Sequence, residues 1–264
     1  IVMLLLERDY QVPKKGRKMA FLLEKGSELG GLASLISKIP AKNRLADFPH
    51  YLMHRAEQLE NLYIFTNTEG TPENIRKFHP NIIVSSTGSA PLLPPIAGLK
   101  DRIDNENYNI YSILGMINHI NDFPKDLEGK KVVVVGGGAV GLDVVEFFAD
   151  RNADISIVEM MDQIGRDLDP VSKNDTKTMM KKHNVHQLTK TALLEVKDSS
   201  FLVKGDGEPY ELPFEYGFVC LGMRAQGQLY QSLAEEFSSE DVEIMNIGDS
   251  QRARRIIDGT QEGR

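Results

Sequence analysis

One run of residues has the types and spacing of a nucleotide-binding turn. The pattern G-x-G-x-x-G is formed by Gly136, Gly137, Gly138, Ala139, Val140 and Gly141. In such a turn the first glycine permits a sharp change of direction, and the second lets the backbone approach a pyrophosphate. The third allows a helix to pack closely on the strand, so that the N-terminus of the helix faces the anion. The turn therefore predicts a dinucleotide site.

The flanking residues strengthen this prediction. An apolar strand pattern at 131–135 precedes the turn, a helix pattern follows it, and a second strand pattern ends at Glu159. A carboxylate at that place can accept hydrogen bonds from the ribose hydroxyls, and it would repel a 2′-phosphate. No arginine directly follows Glu159, so the sequence favours NADH over NADPH. A P-loop is excluded because Leu142 and Asp143 stand where it needs Lys and then Ser or Thr.

Composition limits the classes of protein to consider. The chain has 264 residues, of which 41% are hydrophobic, and its net charge of −7 excludes a nucleic-acid-binding face. Cys220 is the single cysteine, so no internal disulfide can form, which favours a cytoplasmic protein. No apolar run is long enough to cross a membrane. The chain starts at Ile1 rather than Met and stops at Arg264 after a helical pattern, so we expect a piece of a longer protein.

Strand and helix patterns alternate along the chain, which predicts an α/β fold built on a largely parallel sheet. Residues 1–19 show no clear period, and 11–18 are typical of a polar connector. Strand patterns then occur at 20–24, 63–66, 131–135, 155–160, 186–204, 216–223 and 243–250, and another begins at Asn81 and runs into the Thr-Gly turn at 87–88. Helix patterns occur at 48–62, 110–120, 140–148, 169–184 and 227–237.

Six segments, in this order, resemble one enzyme family. They are LLEKGSELGG, SSTGSAP, VVVVGGGAVGLDVVEFF, IVEMMDQIGRDLDP, VCLGMRA and IGDSQRARRIIDGTQEG. From about residue 20 onward they are similar to the C-terminal part of the NADH:flavin oxidoreductases of the 2,4-dienoyl-CoA reductase, 2-enoate reductase and trimethylamine dehydrogenase type. The resemblance implies two Rossmann-like dinucleotide-binding domains, with the NAD domain inserted in the FAD domain.

The resemblance also implies domain bounds and cofactors. It places an FAD-binding domain at 1–105 and 224–264 and an NAD(H)-binding domain at 106–223. FAD and NAD(H) would bind to this chain, whereas FMN and an iron–sulfur cluster would belong to an N-terminal barrel domain of the full-length parent. The family likeness leaves an oligomer open and implies electron transfer from NADH through FAD toward an enoate-type acceptor.

Further site residues follow from the resemblance alone. Glu24 would bind the ribose of the FAD adenosine, and Gly30 and Gly31 would let their loop approach the cofactor. The other FAD contacts would be Thr87 and Gly88 at the crossover, with Gly248 and Asp249 at the pyrophosphate or ribityl chain. Asp143 would lie near the nicotinamide, although a carboxylate placed there by the helix dipole is an equal alternative. No residue is singled out as an acid–base catalyst.

One departure from the family concerns the first glycine turn. Residues 1–19 contain only Gly16, so the first strand–turn–helix unit of the FAD domain is expected to be missing. This leaves a second hypothesis open, a non-catalytic NAD(H)-binding module. A third, an ordinary dehydrogenase with its own substrate, lacks candidate catalytic residues.

Other chemistry has little support in the sequence. The histidine pairs His50/His54 and His183/His186 have no carboxylate or cysteine set that would complete a metal site. Cys220 lies within an apolar strand pattern, which is typical of a small buried residue.

Overall fold

The computed structural model describes residues 2–6 and 19–263, and these residues form two compact units. Unit 1 contains the described residues up to Ser37, together with Lys42–Ala90 and 223–263. Unit 2 contains Lys38–Ala41 and Pro91–Gly222. The chain thus leaves unit 1, builds unit 2 and returns.

Unit 1 is organised around a five-stranded sheet in the order β15-β4-β1-β2-β3. Its strands are β1 (Val2–Leu6), β2 (Met19–Leu23), β3 (Leu62–Phe65), β4 (Ile82–Ser85) and β15 (Glu243–Asn246). β2 pairs with β3 and β15 with β4 in parallel, whereas β1 is antiparallel to both β2 and β4. The carboxyl ends of β2, β3, β4 and β15 therefore lie at one edge of the sheet.

β1 is one of the elements that the sequence did not predict. Its residues form an uninterrupted apolar run without alternation, a pattern typical of a strand covered on both faces but too short to separate from other apolar segments. Val2 lies opposite both Leu23 and Ser85, so the amino end of β1 is at the edge where its neighbours end. The polar connector predicted at 11–18, with Gly16, lies outside the described residues.

The helices of unit 1 pack an apolar core against the sheet. Leu23, Ile75, Ile83, Leu233 and Phe237 form this core and are almost completely buried. The helices are α1 (Gly31–Ile36), α2 (Asp47–Glu57), α3 (Pro72–Arg76), α8 (Gln228–Glu236) and α9 (Ile256–Glu262). Two 3-10 turns span Pro40–Ala46 and Gly248–Ser250, and a short ladder joins β5 (Ser89–Pro91) to β14 (Met223–Ala225).

Unit 2 contains a five-stranded parallel sheet in the order β6-β13-β7-β8-β9. Its strands are β6 (Ile110–Tyr111), β7 (Lys131–Val135), β8 (Asp154–Val158), β9 (His186–Leu188) and β13 (Tyr216–Val219). β7 is the central strand, and its four valines are at most 3% exposed because both faces of the sheet are covered. A separate antiparallel sheet contains β10 (Ala192–Val196), β11 (Ser200–Lys204) and β12 (Tyr210–Pro213).

The helices of unit 2 are α4 (Leu99–Arg102), α5 (Ile113–Asn118), α6 (Ala139–Ala149) and α7 (Pro170–Lys182). α6 packs on the parallel sheet through Phe147 and Phe148, and the ring of Phe148 lies 4.8 Å from that of Phe218. Aromatic pairs at this separation add to the stabilisation from area burial. α7 begins at Pro170 after the predicted N-cap, Asp169, whose side chain accepts from the amides of Val171 and Ser172.

The fold-class prediction is confirmed: the described residues form an α/β protein with two units, and the sequence of unit 2 is inserted in that of unit 1. Several predicted bounds differ. The helix predicted at 48–62 ends at Glu57, and the one predicted at 110–120 is a short strand followed by α5. The structure divides the chain at 90/91 and 222/223, whereas the sequence placed the changes at 105/106 and 223/224.

Candidate functional site

The glycine turn of unit 2 joins the central strand to the N-terminus of α6. Gly136 follows β7 with a φ of +109°, and its amide donates to the carbonyl oxygen of Val158 over 2.8 Å. A Cβ on Gly136 would overlap the carbonyl oxygen of Cys220 on the neighbouring strand. A Cβ on Gly141 would overlap the carbonyl oxygen of Gly136. These two positions therefore accept only glycine, and α6 lies directly on the end of β7.

The N-terminus of α6 is open. Its N-cap, Gly138, is extended, no side chain among the described residues caps the helix, and no described atom lies within 4 Å of a Cβ built on Gly138. The first amides of a helix have no partner within the helix, and the helix dipole adds positive potential there. Ala139 and Val140 form the first turn, so their backbone is placed to bind an anion.

Glu159 lies directly beside this turn. It follows β8, and its Oε2 accepts from the amide of Gly137 over 2.7 Å while Oε1 accepts from the amide of Met161 over 2.7 Å. The two hydrogen bonds fix a half-buried carboxylate at the carboxyl edge of two adjacent parallel strands. Each oxygen retains capacity for a further hydrogen bond, as binding to ribose hydroxyls requires. These groups thus fit NAD(H): the open helix N-terminus has donors for the diphosphate, and the carboxylate is an acceptor for the ribose hydroxyls.

A loop that the sequence did not single out lies against the same turn. The amide of Gly165 donates to the carbonyl oxygen of Gly137 over 2.7 Å, and Ile164 is buried beside it. Gly165 has a φ of +67°. The only signal in the sequence is a glycine six residues after Glu159, which is too weak to identify a supporting contact.

Asp143 and Cys220 lie near the glycine turn, Asp143 on α6 and Cys220 directly after β13. Asp143 is half-buried on α6, and its charge adds to the shift that burial causes at Cys220. Burial, helped by Asp143 and Asp104, raises the pKa of the Cys220 thiol to about 12. The thiol is therefore protonated and inert near neutral pH.

The sequence-predicted residues of unit 1 gather at the carboxyl edge of its sheet. Glu24 follows β2, and its Oε1 accepts from the amide of Gly26 over 2.7 Å. Thr87 and Gly88 follow β4, and both contact Gln226. Thr87 Oγ1 donates to the carbonyl oxygen of Gln226 over 2.5 Å, and the amide of Gln226 donates to the carbonyl oxygen of Gly88 over 2.9 Å. The loop after β4 is thereby fastened to the segment that re-enters unit 1.

Gly30 and Gly31 lie in the loop that leads from β2 into α1. Gly30 has a φ of +108° and a Cβ there would overlap the hydroxyl of Ser34, whereas a Cβ on Gly31 would have no described atom within 4 Å. Among the described residues, the buried hydroxyls of Ser34 and Ser85 have no hydrogen-bond partner. A buried hydroxyl without a partner costs about 1–3 kcal/mol, so a polar ligand near these residues would be favoured.

Gly248 and Asp249 follow β15 at the same edge. The amide of Gly248 donates to Oε2 of Glu262 over 2.6 Å. Asp249 accepts from the hydroxyl of Ser89 over 2.9 Å and from the amide of Arg254 over 3.0 Å. Sequence reasoning missed Ser89, Arg254 and Glu262, because no local pattern marks them.

For FAD, the donor set fits in part. Glu24 and Asp249 present carboxylates for ribose or ribityl hydroxyls, but the place between β2 and β4 is held by the antiparallel β1. Within residues 2–6, 19–90 and 223–263, no strand runs into a G-x-G-x-x-G turn. Those residues therefore do not supply a backbone cradle of the kind found at Gly136–Gly141.

Comparison with known proteins identifies the family. The family model described as "Pyridine nucleotide-disulphide oxidoreductase" matches residues 58–245. The chain belongs to this family. Its members bind FAD and NAD(H) and are oxidoreductases, so the resemblance seen in the sequence is confirmed at the level of family and cofactors.

Relatives with similar sequences are longer proteins. An NADH oxidase of Thermoanaerobacter brockii is 25% identical over 251 residues, which cover 95% of this chain and 37% of that protein. A metal reductase of Desulforamulus reducens is 25% identical over 284 residues, covering 94% of this chain and 40% of that protein. This chain thus spans about two fifths of the length of these relatives.

A solved structure gives the same picture of the fold. The structure of a 2-naphthoyl-CoA reductase complex superposes with a TM-score of 0.76 at 22% identity, covering 92% of this chain and 35% of that one.

None of the helices in the described part of this chain has the length and apolar character needed to span a membrane.

Proposed function

We propose that this chain is the NADH- and FAD-binding part of a longer NADH:flavin oxidoreductase. Unit 2 binds NADH, and unit 1 binds FAD. The observation that carries the proposal is the Glu159 carboxylate, which is hydrogen-bonded to the amide of Gly137 beside an uncapped helix N-terminus. This arrangement combines a diphosphate site with a ribose acceptor on adjacent parallel strands.

In unit 2 the residues of the glycine turn and its neighbours bind and orient NADH. The first amides of α6, after Gly138, hold the diphosphate, and the glycines of the turn let it approach the backbone. Glu159 accepts from the ribose 2′- and 3′-hydroxyls. A 2′-phosphate would place a second negative charge against this carboxylate, so NADPH binds more weakly. Asp143, on the same helix, lies toward the nicotinamide half.

In unit 1 three loops at the carboxyl edge hold FAD. Glu24 accepts from the ribose hydroxyls of the adenosine, and the loop at Gly30 and Gly31 approaches the dinucleotide. Thr87 and Gly88 form the crossover beside it. Gly248 and Asp249 contact the pyrophosphate or the ribityl chain.

The bound cofactors supply hydride chemistry, in which two electrons and one proton leave NADH for the flavin. This chain binds them and positions one against the other. Cys220 takes no part, because its thiol is buried with a pKa of about 12 and one cysteine cannot form a disulfide within the chain.

The rest of the enzyme lies beyond this chain. By family likeness the parent carries an N-terminal FMN barrel with an iron–sulfur cluster and delivers electrons to an enoate-type acceptor. Relatives of this chain carry the names NADH oxidase and metal reductase, which supports a variable acceptor outside this chain. A single cysteine and the use of NADH favour the cytoplasm.

Calorimetric titration of the purified chain with NADH, NADPH and FAD tests the proposal. We expect NADH to bind more tightly than NADPH and FAD to bind independently of both. A chain that binds neither NADH nor FAD would contradict the proposal.

A second candidate function is a module that binds NADH without turnover. The antiparallel β1 favours it, because this strand holds the position that a parallel strand and glycine turn would need for FAD. The same titration separates the two functions, since the module binds NADH but not FAD.

A further inference from the structure

The amide of Gly248 is occupied by an internal carboxylate. Glu262 Oε2 accepts from this amide over 2.6 Å, and Glu262 Oε1 pairs with the guanidinium of Arg254. The side chains of Arg254 and Glu262 are only 28% and 27% exposed. The carboxylate is thus held between a backbone N–H and a cation, and both are donors that recur in phosphate sites.

The backbone of α9 brings Glu262 to this place. Gly259 precedes Glu262 by three residues, so both lie on one face of the helix. A Cβ on Gly259 would come within 3.6 Å of the Cα of Gly248, which shows how closely α9 approaches the turn. Gly248 itself has a φ of +65°.

The donors lie where an anionic ligand would bind. Gly248 begins the loop after β15, at the edge where the parallel strands β2, β3 and β4 also end. Ligands of open α/β sheets bind outside the carboxyl ends of the strands. Asp249 accepts from Ser89 and from the amide of Arg254, and these bonds keep Arg254 beside the same edge.

We propose that Glu262 is an internal competitor of the diphosphate group: it closes the Gly248–Arg254 donor pair, and a dinucleotide binds fully to unit 1 only when the Glu262 carboxylate leaves. The proposal rests on the proposed function, since it takes FAD as the dinucleotide. The apparent affinity for FAD is then reduced by the fraction of molecules in which the donors are free.

The opposite role for Glu262 makes a different prediction. If the carboxylate only held the Gly248 turn and Arg254 in a geometry that FAD needs, removing it would weaken FAD binding. Removing an internal competitor strengthens it. The sign of the change in affinity therefore separates the two roles.

The test compares FAD and riboflavin binding to the wild-type chain and to Glu262→Ala and Glu262→Gln. Glu262→Ala is expected to bind FAD roughly tenfold more tightly, because FAD no longer has to displace one charge-assisted hydrogen bond. Glu262→Gln, which keeps an acceptor for the Gly248 amide, should show a smaller gain. Riboflavin, which lacks a diphosphate, should bind equally to all three proteins.

Glu235→Gln is the matched control, because it changes net charge equally at an exposed site on α8. It should leave FAD affinity unchanged, and chemical denaturation of each variant reports whether unit 1 is folded, while NADH titration reports unit 2. Equal or weaker FAD binding by Glu262→Ala would overturn the role of Glu262 alone. If neither the wild type nor Glu262→Ala bound FAD, both this role and the assignment of FAD to unit 1 would be wrong, while NADH binding would still stand.

Discussion

The two units each place a glutamate directly after a strand of their main sheet, but the glutamates have different neighbours. In unit 2, Glu159 follows β8 and reaches across to the glycine turn after the adjacent parallel strand β7, where it accepts from Gly137. In unit 1, Glu24 follows β2 and accepts from Gly26 in its own loop. β2 lies between β1, which runs in the opposite direction, and β3, which is parallel but does not run into a G-x-G-x-x-G turn.

The difference shows what strand direction contributes to a dinucleotide site. A parallel neighbour ends at the same edge as the acid-bearing strand, so its turn and the following helix face the carboxylate. An antiparallel neighbour begins at that edge and brings no turn or helix N-terminus there. Unit 2 therefore brings a glycine turn, a helix N-terminus and a carboxylate together on two adjacent strands, whereas the candidate site residues of unit 1 are distributed over three loops.

The largest expected effect comes from breaking the turn of unit 2. Gly136→Val would place a side chain against the carbonyl oxygen of Cys220 at a φ of +109°. We expect a loss of at least about 2 kcal/mol in the free energy of unfolding and no measurable NADH binding. Chemical denaturation and NADH titration would measure both.

Gly207→Ala is the control for this change, since a Cβ there meets open space among the described residues and its φ is not positive. A Gly136→Val protein that bound NADH normally would contradict the account of the turn.

The next effect concerns the ribose acceptor of unit 2. Glu159→Ala should weaken NADH binding by roughly tenfold to a hundredfold, because two ribose hydroxyls lose a charged acceptor. Glu159→Gln should narrow the preference for NADH over NADPH, since the charge that repels the 2′-phosphate is gone. The dissociation constants of NADH and NADPH, measured for each variant, test both expectations. Glu208→Gln, at an exposed turn position, should change neither, and an unaltered preference in Glu159→Gln would count against the assigned role.

A smaller effect is expected in unit 1, where Arg76 joins α3 to α8. Its guanidinium pairs with Glu236 and Glu240 at 2.6 Å each and lies 4.8 Å from the ring centre of Phe237. These contacts are partly exposed, so Arg76→Ala should lower the unfolding midpoint of unit 1 only slightly. Arg76→Lys should recover little of this loss, because an ammonium cannot replace the two-pronged contact. NADH affinity should not change, and a large loss of NADH affinity would contradict the independence of the two sites.

The last expected effect is a pH dependence in unit 2, which appears only at alkaline pH. The pKa of the Cys220 thiol is raised from 9.0 to about 12, first by burial and then by Asp143 and Asp104. A group with a raised pKa contributes stability that is present below its unfolded value and is lost as pH rises toward the folded value. Thermal stability should therefore fall between about pH 9 and 12. This part of the decline should be absent in Cys220→Ala, and an identical decline in both proteins would contradict it.

The site of unit 2 could be predicted from the sequence because its signals are local. The turn at Gly136–Gly141 is one continuous motif, and Glu159 ends the next strand at the expected distance. The same holds for the N-cap of α7 at Asp169, which precedes a proline at the first helical position.

The contacts of unit 1 could not be predicted in this way. Ser89 and Asp249 are 160 positions apart, and their hydrogen bond exists only because the chain returns to unit 1 after building unit 2. The direction of β1 is likewise set by pairing with β2 and β4, which no periodicity within residues 2–6 can express. Glu262 and Gly248 are closer in sequence, but only the approach of α9 to the turn brings them together.

We propose that unit 2 delivers electrons from NADH to a flavin held by unit 1. Adding NADH or NADPH anaerobically to the chain loaded with FAD, and following the flavin absorbance, tests this transfer. We expect NADH to bleach the flavin promptly, NADPH to do so far more slowly, and Glu159→Ala to need a higher NADH concentration for the same rate of bleaching. Retention of FAD with no bleaching by NADH would contradict the claim.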